Sequence, residues 1–329
     1  MARVVRFHRL GGPEVLSIED IAVPAPGAGE VQIRVKALGL NRAEAMLRSG
    51  TYIETAPLPS SLGLEAAGIV AEVGSGVADF APGDAVSVVP PLSQVRWPAY
   101  GELASFPATH VVKHPSTLGF AEAAAIWMQY VTAYGALIEI AGLRAGEFVV
   151  ITAASSSVGL AAIQIARMVG AIPIAVTRGT AKKQALRDAG ATYAIAAAEE
   201  DLGAKLKDIA GVNGVRVVFD PIGGPIFEPL TAAMARGGIL IEYGALSPEP
   251  TPFPLFAVLS KCLTLRGYLI HEITADPAKL AAAKAFVLKG LASGALRPII
   301  ARTFPFERIA DAHRYLESNQ QFGKVVVTL

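Results

Sequence analysis

Residues 148–167, FVVITAASSSVGLAAIQIAR, are the most informative stretch of the sequence. Four apolar residues come first, a run of small residues from Thr152 to Ser157 follows, and small and apolar residues then surround Gly159. The pattern predicts a buried strand, a tight turn and a helix with a small-residue packing face. The start of a helix has unpaired N–H groups that bind phosphate, and small residues let a pyrophosphate come close, so the segment indicates a dinucleotide site.

The turn lacks two of the glycines that such a site ordinarily carries. Ser156 and Ser157 stand in their places, and Gly159 remains to let helix and strand pack closely. Serine is also a good helix N-cap, so an ordinary capped core helix explains the segment as well as a cofactor site does. The residues that follow decide between these two interpretations.

A second apolar run, residues 171–177, predicts a strand buried on both faces, as in parallel sheets. Arg178, Lys182 and Lys183 follow it, and no acidic residue lies within 170–187. A site for NAD has a carboxylate near the end of this strand, whereas the 2′-phosphate of NADP requires cations. The local charge therefore favours NADPH, with Arg178 at the strand end as the best candidate, since lysines on helices are commonly solvated.

Strands and helices continue to alternate through the middle of the chain. Residues 214–220 and 237–244 predict further strands, and residues 182–189, 199–209 and 227–234 predict helices. The strand at 214–220 runs into DPIGG, a turn rich in Gly and Pro at the sheet edge where ligands bind. This alternation predicts a doubly wound parallel sheet that binds a dinucleotide.

The first third of the chain has a different pattern. Short alternating runs such as 31–37 and 68–74 are separated by turns rich in Gly and Pro, and residues 323–329 look like one more strand. Many short strands joined by such turns predict a compact β barrel.

Composition limits the function classes. A chain of 329 residues with 52% hydrophobic and 17% charged residues can bury one or two substantial cores. The net charge of +1 gives no reason to expect nucleic acid or an acidic membrane as a partner. No apolar run is long enough for a bilayer, and the first residues alternate like a strand instead of forming a secretion signal. We therefore expect a cytoplasmic protein.

Cysteine and histidine usage argues against a metal. Cys262 is the only cysteine, which excludes an internal disulfide and any site built from several thiolates. The five histidines form no spaced cluster with carboxylates of the kind that binds zinc. Strand alternation predicts that His110 and His114 are two exposed polar residues on one face of a strand. We predict that the protein holds no metal.

Several further motifs occur in order along the chain: GGPEVL at 11–16, NRAE at 41–44, RSGTY at 48–52, GLEAAG at 63–68, PGD at 82–84, DPIGG at 220–224 and GKVV at 323–326. Together with the altered phosphate turn, they resemble the medium-chain dehydrogenase/reductase superfamily, and within it the zinc-independent, zeta-crystallin-like quinone oxidoreductases. The resemblance runs from end to end. It implies an α/β protein with a GroES-like, partly open β barrel in residues 1–125 and 268–329, and a Rossmann NADPH-binding domain in residues 126–267.

The zinc alcohol dehydrogenases of the same superfamily are similar in fold. The resemblance implies that they carry a Cys near the position of Asn41 and a His near that of Leu64, as zinc ligands. This chain has neither ligand. A Lewis acid that would activate an alcohol is therefore not expected. The resemblance implies instead that a hydride passes from NADPH to an electron-poor acceptor, either a quinone or an α,β-unsaturated carbonyl such as an enone, an enal or an enoyl thioester.

The resemblance also assigns residues to the site. Asn41 and Tyr52 match the substrate cleft, where they would hydrogen-bond the developing oxyanion, and either Tyr52 or solvent would donate the proton. An aromatic ring packed in a mobile loop explains Tyr52 almost equally well. Some members carry a second tyrosine where this chain has Met46, which favours bulkier or more apolar acceptors. The positions that match the cofactor site are Thr132, Ser156, Ser157, Val158, Gly159, Thr177, Arg178, Lys182, Tyr193, Gly244, Leu246, Asn319 and Lys324.

Assembly and two other functions complete the expectations. Residues 262–267 resemble the sixth strand, which in these enzymes often pairs with its copy in another subunit, so we expect a homodimer. A zinc-dependent alcohol dehydrogenase would instead contain stoichiometric zinc. A noncatalytic, crystallin-like protein would bind NADPH but would not oxidise it, whichever acceptor is supplied.

Overall fold

The computed structural model describes all residues from 1 to 329. They form two compact units, one made of Met1–Met128 and Pro298–Leu329 and the other of Gln129–Arg297. The strands are β1 (Ala2–Arg6), β2 (Ser17–Ile21), β3 (Glu30–Gly39), β4 (Ala66–Val73), β5 (Ala85–Val88), β6 (Leu103–Pro107), β7 (Val111–Lys113), β8 (Phe148–Ile151), β9 (Ile172–Thr177), β10 (Tyr193–Ala196), β11 (Val215–Asp220), β12 (Met234–Glu242), β13 (Thr264–Gly267), β14 (Ile300–Pro305) and β15 (Lys324–Thr328). The helices are α1 (Arg42–Ser49), α2 (Phe120–Ala123), α3 (Trp127–Tyr134), α4 (Ser157–Met168), α5 (Lys183–Asp188), α6 (Leu202–Ala210), α7 (Phe227–Ala233), α8 (Leu255–Lys261), α9 (His271–Thr274), α10 (Pro277–Ala292) and α11 (Ile309–Glu317).

The first unit is built around β3. This strand pairs antiparallel with β4, β6 and β15, while β4 leads on to β5 and β7, and β14 lies parallel to β15. β1 and β2 form a separate antiparallel pair. One hydrophobic cluster draws on both sheets and includes Val5, Ile33, Val70, Phe106 and Val327. The short strands and turns that the first third of the sequence predicts are therefore present.

The second unit is a doubly wound sheet, which confirms the predicted fold class. Its six strands are all parallel and lie in the order β10-β9-β8-β11-β12-β13. Its buried cluster includes Val150, Ile174, Val218 and Leu240, which come from four of these strands. The order of the strands reverses between β8 and β11. Ligands of such sheets bind beyond the carboxyl ends of the strands at this point of reversal.

Residues 268–297 belong to the second unit, although the sequence-based division places them with the barrel. The Tyr134 ring of α3 lies against Phe286 of α10, with ring centroids 4.9 Å apart. The Tyr268 hydroxyl donates to the Val131 carbonyl at 3.5 Å, and Lys279 lies 3.8 Å from the Glu139 carboxylate. These contacts join the segment after β13 to α3 and the π-helical turn Gly135–Ile140 that continues it.

The prediction that His110 and His114 are exposed strand residues is wrong. His110 ends a 3-10 turn, Ala108–His110, and is buried, while His114 is half-buried and packs edge-on against Phe120 at 5.6 Å between centroids. Alternation fails here because the strand β7 begins only at Val111.

Among the helices, none combines the length and the apolar character that spanning a bilayer requires.

Candidate active site

The predicted phosphate turn lies between β8 and α4. Ser156 caps the helix, because its Oγ accepts a hydrogen bond from the Gly159 backbone N–H at 3.0 Å. Ser157 and Val158 open the first turn, and all three residues before Gly159 are partly accessible. A Cβ on Gly159 would lie 2.7 Å from backbone atoms of Ala154, so only glycine fits there. The turn therefore presents the start of a twelve-residue helix at the sheet edge, as anion binding requires.

The structure identifies one turn residue that the sequence analysis missed. Ala153 has a φ of +43°, in the left-handed region that alanine rarely adopts. The sequence does not predict a positive φ at Ala153, because glycine is the residue that ordinarily adopts this conformation. The backbone therefore adopts at Ala153 the left-handed conformation that glycine ordinarily supplies.

Two cations lie beside this turn. Arg178 follows the buried Thr177 at the end of β9 and is exposed, while the Lys182 ammonium donates to Ser155 Oγ at 3.2 Å. Burial, and then repulsion by Arg178, lower the pKa of Lys182. Two cations that repel one another can both be satisfied by a bound dianion. Arg178 and Lys182, which the sequence predicts to bind a 2′-phosphate, therefore lie close to one another.

Two acids reach this region from the loop after β10. Glu199 accepts from the Thr180 backbone N–H at 3.0 Å, and Glu200 pairs with Lys183 at 2.6 Å. The sequence argument considered only residues 170–187 and so missed both acids. Lys183 is consequently paired to a carboxylate, whereas Arg178 forms no ion pair.

Tyr193 does not lie with the other predicted phosphate residues. It is the first residue of β10 and is level with Ile174 of β9, while Ala196 is the residue level with Thr177. Three strand residues span about 10 Å, so Tyr193 lies toward the amino end of the sheet. The assignment of Tyr193 to the adenosine phosphate fails because the ligand edge is the carboxyl end of the strands.

The carboxyl ends of β11 and β12 form the other side of the crevice. A Cβ on Gly244 would lie 2.7 Å from the Pro221 carbonyl oxygen, and the Leu246 N–H donates to that same oxygen at 3.1 Å. The Leu246 side chain is exposed. Gly244 therefore permits two edge loops to pack together, and Leu246 is displayed beside them.

Thr132 lies elsewhere in the same unit. It is buried on α3, one turn before the π-helical segment Gly135–Ile140. π-Helical turns are rare and often occur at functional sites.

In the first unit, the structure brings Asn41 and Lys324 together. The Lys324 ammonium donates to Asn41 Oδ1 at 2.6 Å and lies 2.5 Å from the Glu65 carboxylate, and both charged side chains are fully buried. Asn41 Nδ2 donates to the Gly39 carbonyl at 3.0 Å and to Glu44 Oε1 at 3.1 Å. Both N–H bonds of the Asn41 amide are thus already used.

Glu44 is a further buried residue that the sequence analysis did not assign. Its carboxylate accepts from four donors: the Asn41 backbone N–H and side-chain amide, the Leu64 N–H at 3.0 Å and the Tyr100 hydroxyl at 3.2 Å. Burial raises the pKa of Glu44 to about 7, while Lys324 and these hydrogen bonds oppose the shift. The acid therefore anchors Asn41 from both its backbone and its side chain.

The hydrogen bonds behind Glu44 have a fixed direction. Arg48 can only donate, and its Nη1 meets His313 Nδ1 at 3.0 Å, so Nδ1 is the acceptor and the ring proton is on Nε2. That Nε2–H donates to the Tyr100 oxygen at 3.2 Å, which leaves the Tyr100 proton for Glu44. Arg48 itself is held by Glu317 at 2.8 Å.

Tyr52 lies in the loop after α1 and is partly buried against the hydrophobic cluster of the first unit. Burial, followed by the charges of Glu54 and Glu44, raises the pKa of Tyr52 to about 12. Its hydroxyl consequently stays protonated at neutral pH and can donate a hydrogen bond.

Asn319 follows α11 in a left-handed conformation with a φ of +58°. Its Oδ1 accepts from the Arg42 guanidinium, which also donates to the Leu316 carbonyl at 3.1 Å. The side-chain oxygen of Asn319 is therefore engaged within the first unit.

The alcohol dehydrogenase GroES-like domain family matches residues 27–140, and the zinc-binding dehydrogenase family matches residues 157–286. A quinone oxidoreductase of Lama guanicoe is 34% identical over 333 residues, covering 100% of this chain and 98% of that protein. The chain belongs to the quinone oxidoreductase family of medium-chain dehydrogenases/reductases.

Solved structures similar to this chain cover almost its full length. Escherichia coli quinone oxidoreductase complexed with NADPH is 31% identical, has a TM-score of 0.91, and each chain covers 100% of the other. A structure described as an NAD-dependent alcohol dehydrogenase is similar as well, with 32% identity, a TM-score of 0.90 and 99% coverage of both chains. The resemblance to this family that the motifs indicate is confirmed.

The second matching family is named for zinc, but this quinone oxidoreductase relative offers few side chains near Asn41 that could bind that metal. Leu64 is apolar and buried, Asn41 offers a neutral amide, and the nearby Glu65 is paired with the Lys324 ammonium. No three His, Cys, Asp or Glu side chains are grouped so that they could hold a metal ion. The donor set does not fit zinc, which prefers thiolate and imidazole ligands.

Proposed function

We propose that this quinone oxidoreductase relative is an NADPH-dependent enzyme that transfers a hydride, without zinc, to a quinone or an α,β-unsaturated carbonyl such as an enone or enal. The observation that carries the proposal is the pair Arg178 and Lys182 beside the phosphate turn, with Lys182 bonded to Ser155. A dinucleotide whose adenosine carries an additional phosphate fits this arrangement best.

Residues of the second unit would bind the cofactor. The N-terminal turn of α4 with Ser156, Ser157, Val158 and Gly159 would take the pyrophosphate, because its backbone N–H groups point at the sheet edge. Arg178 and Lys182, with Thr177 at the strand end, would take the 2′-phosphate. Gly244, Leu246 and Thr132 remain our candidates for the nicotinamide end.

NADPH, when bound, would supply the hydride. In the first unit, the Tyr52 hydroxyl is the group able to donate to the acceptor oxygen, since its raised pKa keeps the proton in place. Such a donor lowers the energy of the oxyanion that forms. With a pKa of about 12, Tyr52 is a better hydrogen-bond donor than proton source, so solvent would complete the protonation.

Asn41 would act on the acceptor differently from what the resemblance implies. Its amide N–H bonds are committed to Gly39 and Glu44, and its oxygen is held by Lys324. The buried Lys324, itself paired with Glu65, would hold Asn41 in position from behind, and Asn41 would shape the pocket. Lys324 and Asn319, both engaged inside the first unit, are weaker candidates for cofactor contact than the sequence suggests.

The cofactor assignment is tested by Arg178→Ala. Loss of one charge-assisted bond to phosphate costs about 1.5 to 3 kcal/mol, so the Kd for NADPH should rise roughly tenfold to a hundredfold, with little change for NADH. Cofactor fluorescence titration measures both constants. The matched control is Arg187→Ala, which removes an equal charge from an exposed position on α5. An equal loss for NADPH and NADH would contradict the assignment.

The acceptor is tested by following NADPH consumption against quinones, enones, enals and enoyl thioesters with chelator-treated protein. We expect turnover with a quinone or an activated alkene and none with a simple alcohol and NADP⁺. Turnover of alcohols that appears only when zinc is added would favour the alcohol dehydrogenase alternative. NADPH binding without oxidation by any acceptor would favour the noncatalytic alternative.

Tyr52 is tested by Tyr52→Phe. Removal of the hydroxyl should lower kcat with an enone about tenfold or more, and the Kd for NADPH should stay the same. The matched control is Tyr315→Phe, in the same unit and also only partly buried. An unchanged kcat in Tyr52→Phe would remove Tyr52 from the reaction.

We also propose a homodimer formed along β13. This edge strand has no neighbour on its outer side, and the preceding α8 displays Phe256 at 83% and Leu259 at 64% exposure. Apolar side chains beside an open strand edge suit pairing with a second copy. Light scattering should give the mass of a dimer, and Phe256→Glu should shift it toward the monomer. A monomeric mass for the unaltered protein would contradict this proposal.

A cytoplasmic location stays a prediction, which fractionation of the source cells would test.

A further inference from the structure

Residues 52–58, the loop that carries Tyr52, contain no helix or strand. Their backbone N–H and C=O groups form no hydrogen bonds within the protein. Tyr52 and Ala56 pack against the hydrophobic cluster of the first unit, but both are only partly buried. The one hydrogen bond of the loop joins two side chains, because the Ser93 hydroxyl donates to the Glu54 carboxylate. This bond is therefore the polar link between the loop and the rest of the first unit.

The segment on the other side of this bond, residues 93–97, is a well-anchored turn. Ser93 Oγ accepts from the Arg96 N–H at 2.9 Å, and the Trp97 N–H donates to the Ser93 carbonyl at 3.2 Å. The Trp97 indole N–H donates to the Glu30 carboxylate at 2.8 Å, and Glu30 is the first residue of β3. The turn is thus tied to the strand around which the first unit is built.

The direction of the bond between Ser93 and Glu54 is fixed. A serine hydroxyl has one proton to donate, and a carboxylate can only accept. The Arg96 N–H already donates to Ser93 Oγ, so the hydroxyl proton is left for Glu54. Hydrogen bonds to an ionised acceptor are roughly twice as strong as those between neutral groups. The link is consequently a strong one for a single side-chain contact.

Glu54 also acts on the Tyr52 hydroxyl. Burial, and then the charge of Glu54, raise the pKa of Tyr52 to about 12, so the carboxylate lies within electrostatic range of the phenol. The Tyr52 hydroxyl bonds to no other side chain and is free to donate to a substrate. Its position is therefore set by the packing of its ring and by the loop.

We propose that Ser93 and Glu54 are positioning residues, whose hydrogen bond holds the 52–58 loop against the 93–97 turn and keeps the Tyr52 hydroxyl directed at the acceptor oxygen. The inference rests on the proposed function, since it names the residues that place the donor of that reaction. Neither residue contacts the acceptor, and both act through Tyr52.

Preorganisation is the physical reason. A hydrogen-bond donor stabilises an oxyanion best when it is already held where the charge develops. Displacement of a reacting group by about 1 Å can cost about a hundredfold in rate. A loop without its one hydrogen bond would still be part of a folded protein, but it would open more readily and Tyr52 would sample other positions. The loss of rate should be smaller than that caused by removing the hydroxyl itself.

The experiment measures kcat and KM for but-3-en-2-one and 1,4-naphthoquinone in wild type and in variants of the two residues. Ser93→Ala and Glu54→Ala should each lower kcat about fivefold and leave the Kd for NADPH within about twofold. Glu54→Gln keeps an oxygen that accepts from Ser93, so it should retain at least about half of the wild-type kcat. Thr55→Ala, at an exposed position in the same loop, is the matched control and should not change kcat.

A second set of variants tests whether the bond acts through Tyr52. In Tyr52→Phe protein, the further change Ser93→Ala should alter kcat by less than about 1.5-fold, because no hydroxyl is left to position. The double variant Ser93→Ala, Glu54→Ala should be no slower than either single variant, since both changes remove the same bond. Circular dichroism checks that every variant is folded.

An unchanged kcat in Ser93→Ala or in Glu54→Ala would overturn the inference while leaving Tyr52 and the NADPH site intact. So would a loss of about fivefold when Ser93→Ala is added to Tyr52→Phe, because the serine would then act by another route. By contrast, an unchanged kcat in Tyr52→Phe, or no oxidation of NADPH by wild type with either acceptor, would contradict the proposed function and this inference with it.

Discussion

Glu44 and Glu242 are two shielded acids with contrasting surroundings. Burial is the main cause that raises the pKa of both, to about 7 for Glu44 and about 9 for Glu242. Four hydrogen-bond donors and the charge of Lys324 surround Glu44, whereas the Asp220 carboxylate lies beside Glu242 and raises its pKa further. The comparison teaches that burial alone does not determine what a carboxyl does. The first acid holds other residues in place, whereas the second lies beside another acid that favours its neutral form.

The direction of the hydrogen bonds strengthens this contrast. Because Arg48 donates to His313, the chain through Tyr100 can only deliver donors toward Glu44. Protonation of Glu44 would put a fifth proton among four donors. At Glu242 the neighbouring Asp220 carboxylate favours the protonated form instead.

The largest effect is expected for Glu44→Gln. The glutamine amide would point N–H bonds at groups that are themselves donors, so the free energy of unfolding should fall by about 2 to 3 kcal/mol. Urea unfolding at pH 8 measures this loss. Glu72→Gln, at an exposed position on β4, serves as the control and should change little. A fully stable Glu44→Gln would mean that its four hydrogen bonds do not hold the site together.

The same substitution at Glu242 should have the opposite sign. A carboxyl whose pKa is raised from 4.5 in the unfolded chain to about 9 in the fold loses stability as pH rises between these values. Glutamine has no such dependence. As the pH is raised from 5 to 9, the free energy of unfolding of Glu242→Gln should therefore increase relative to that of wild type, by about 1 kcal/mol. The effect is small because the side chain is partly exposed to solvent, which screens its charge. A constant difference across this range would show that Glu242 is not protonated in the fold.

A smaller effect is expected for Tyr100→Phe, which removes one of the four donors to Glu44 and keeps the ring. The cost should be about 1 kcal/mol in the free energy of unfolding. The pKa of Glu44 should also rise, because a hydrogen bond to the charged form is lost. Infrared spectra of the carboxyl stretch between pH 6 and 9, with Glu44→Gln as the assignment control, would detect that shift. An unaltered carboxyl band would place the Tyr100 hydroxyl outside the network.

The smallest expected effect is a pH-independent protonation state of the His313 ring. Burial, and then the charges of Arg48 and Arg42, lower the pKa of His313 to about 3. The ring should stay neutral with its proton on Nε2 from pH 5 to 8, and nitrogen NMR shifts of that ring should not move. A His313→Gln sample identifies the signals. A proton found on Nδ1 would contradict the direction deduced for the chain.

Local motifs can be predicted from this sequence, whereas contacts between residues distant in the chain cannot. The phosphate turn, the parallel strands and the cations after β9 follow from residue types and spacing, because these features are local. The Asn41–Lys324 bond joins positions at opposite ends of the chain, and Glu199 reaches Thr180 from a later loop, so neither contact has a local signal.

Two other outcomes show where local reasoning ends. Asn41 and Glu44 have the spacing of a helix capping box, which could have drawn attention to Glu44. Tyr193 was assigned by motif position, yet the register of β10 against β9 places it toward the wrong end of the sheet. Register depends on how strands pair, which the residues of one strand do not reveal.

The assignment of an NADPH-specific, zinc-independent reductase depends above all on the ratio of kcat/KM for NADPH to that for NADH, measured with a quinone acceptor and chelator-treated protein. We expect a strong preference for NADPH that Arg178→Ala largely abolishes. Equal or better use of NADH by the wild-type protein, or activity that depends on added zinc, would contradict it.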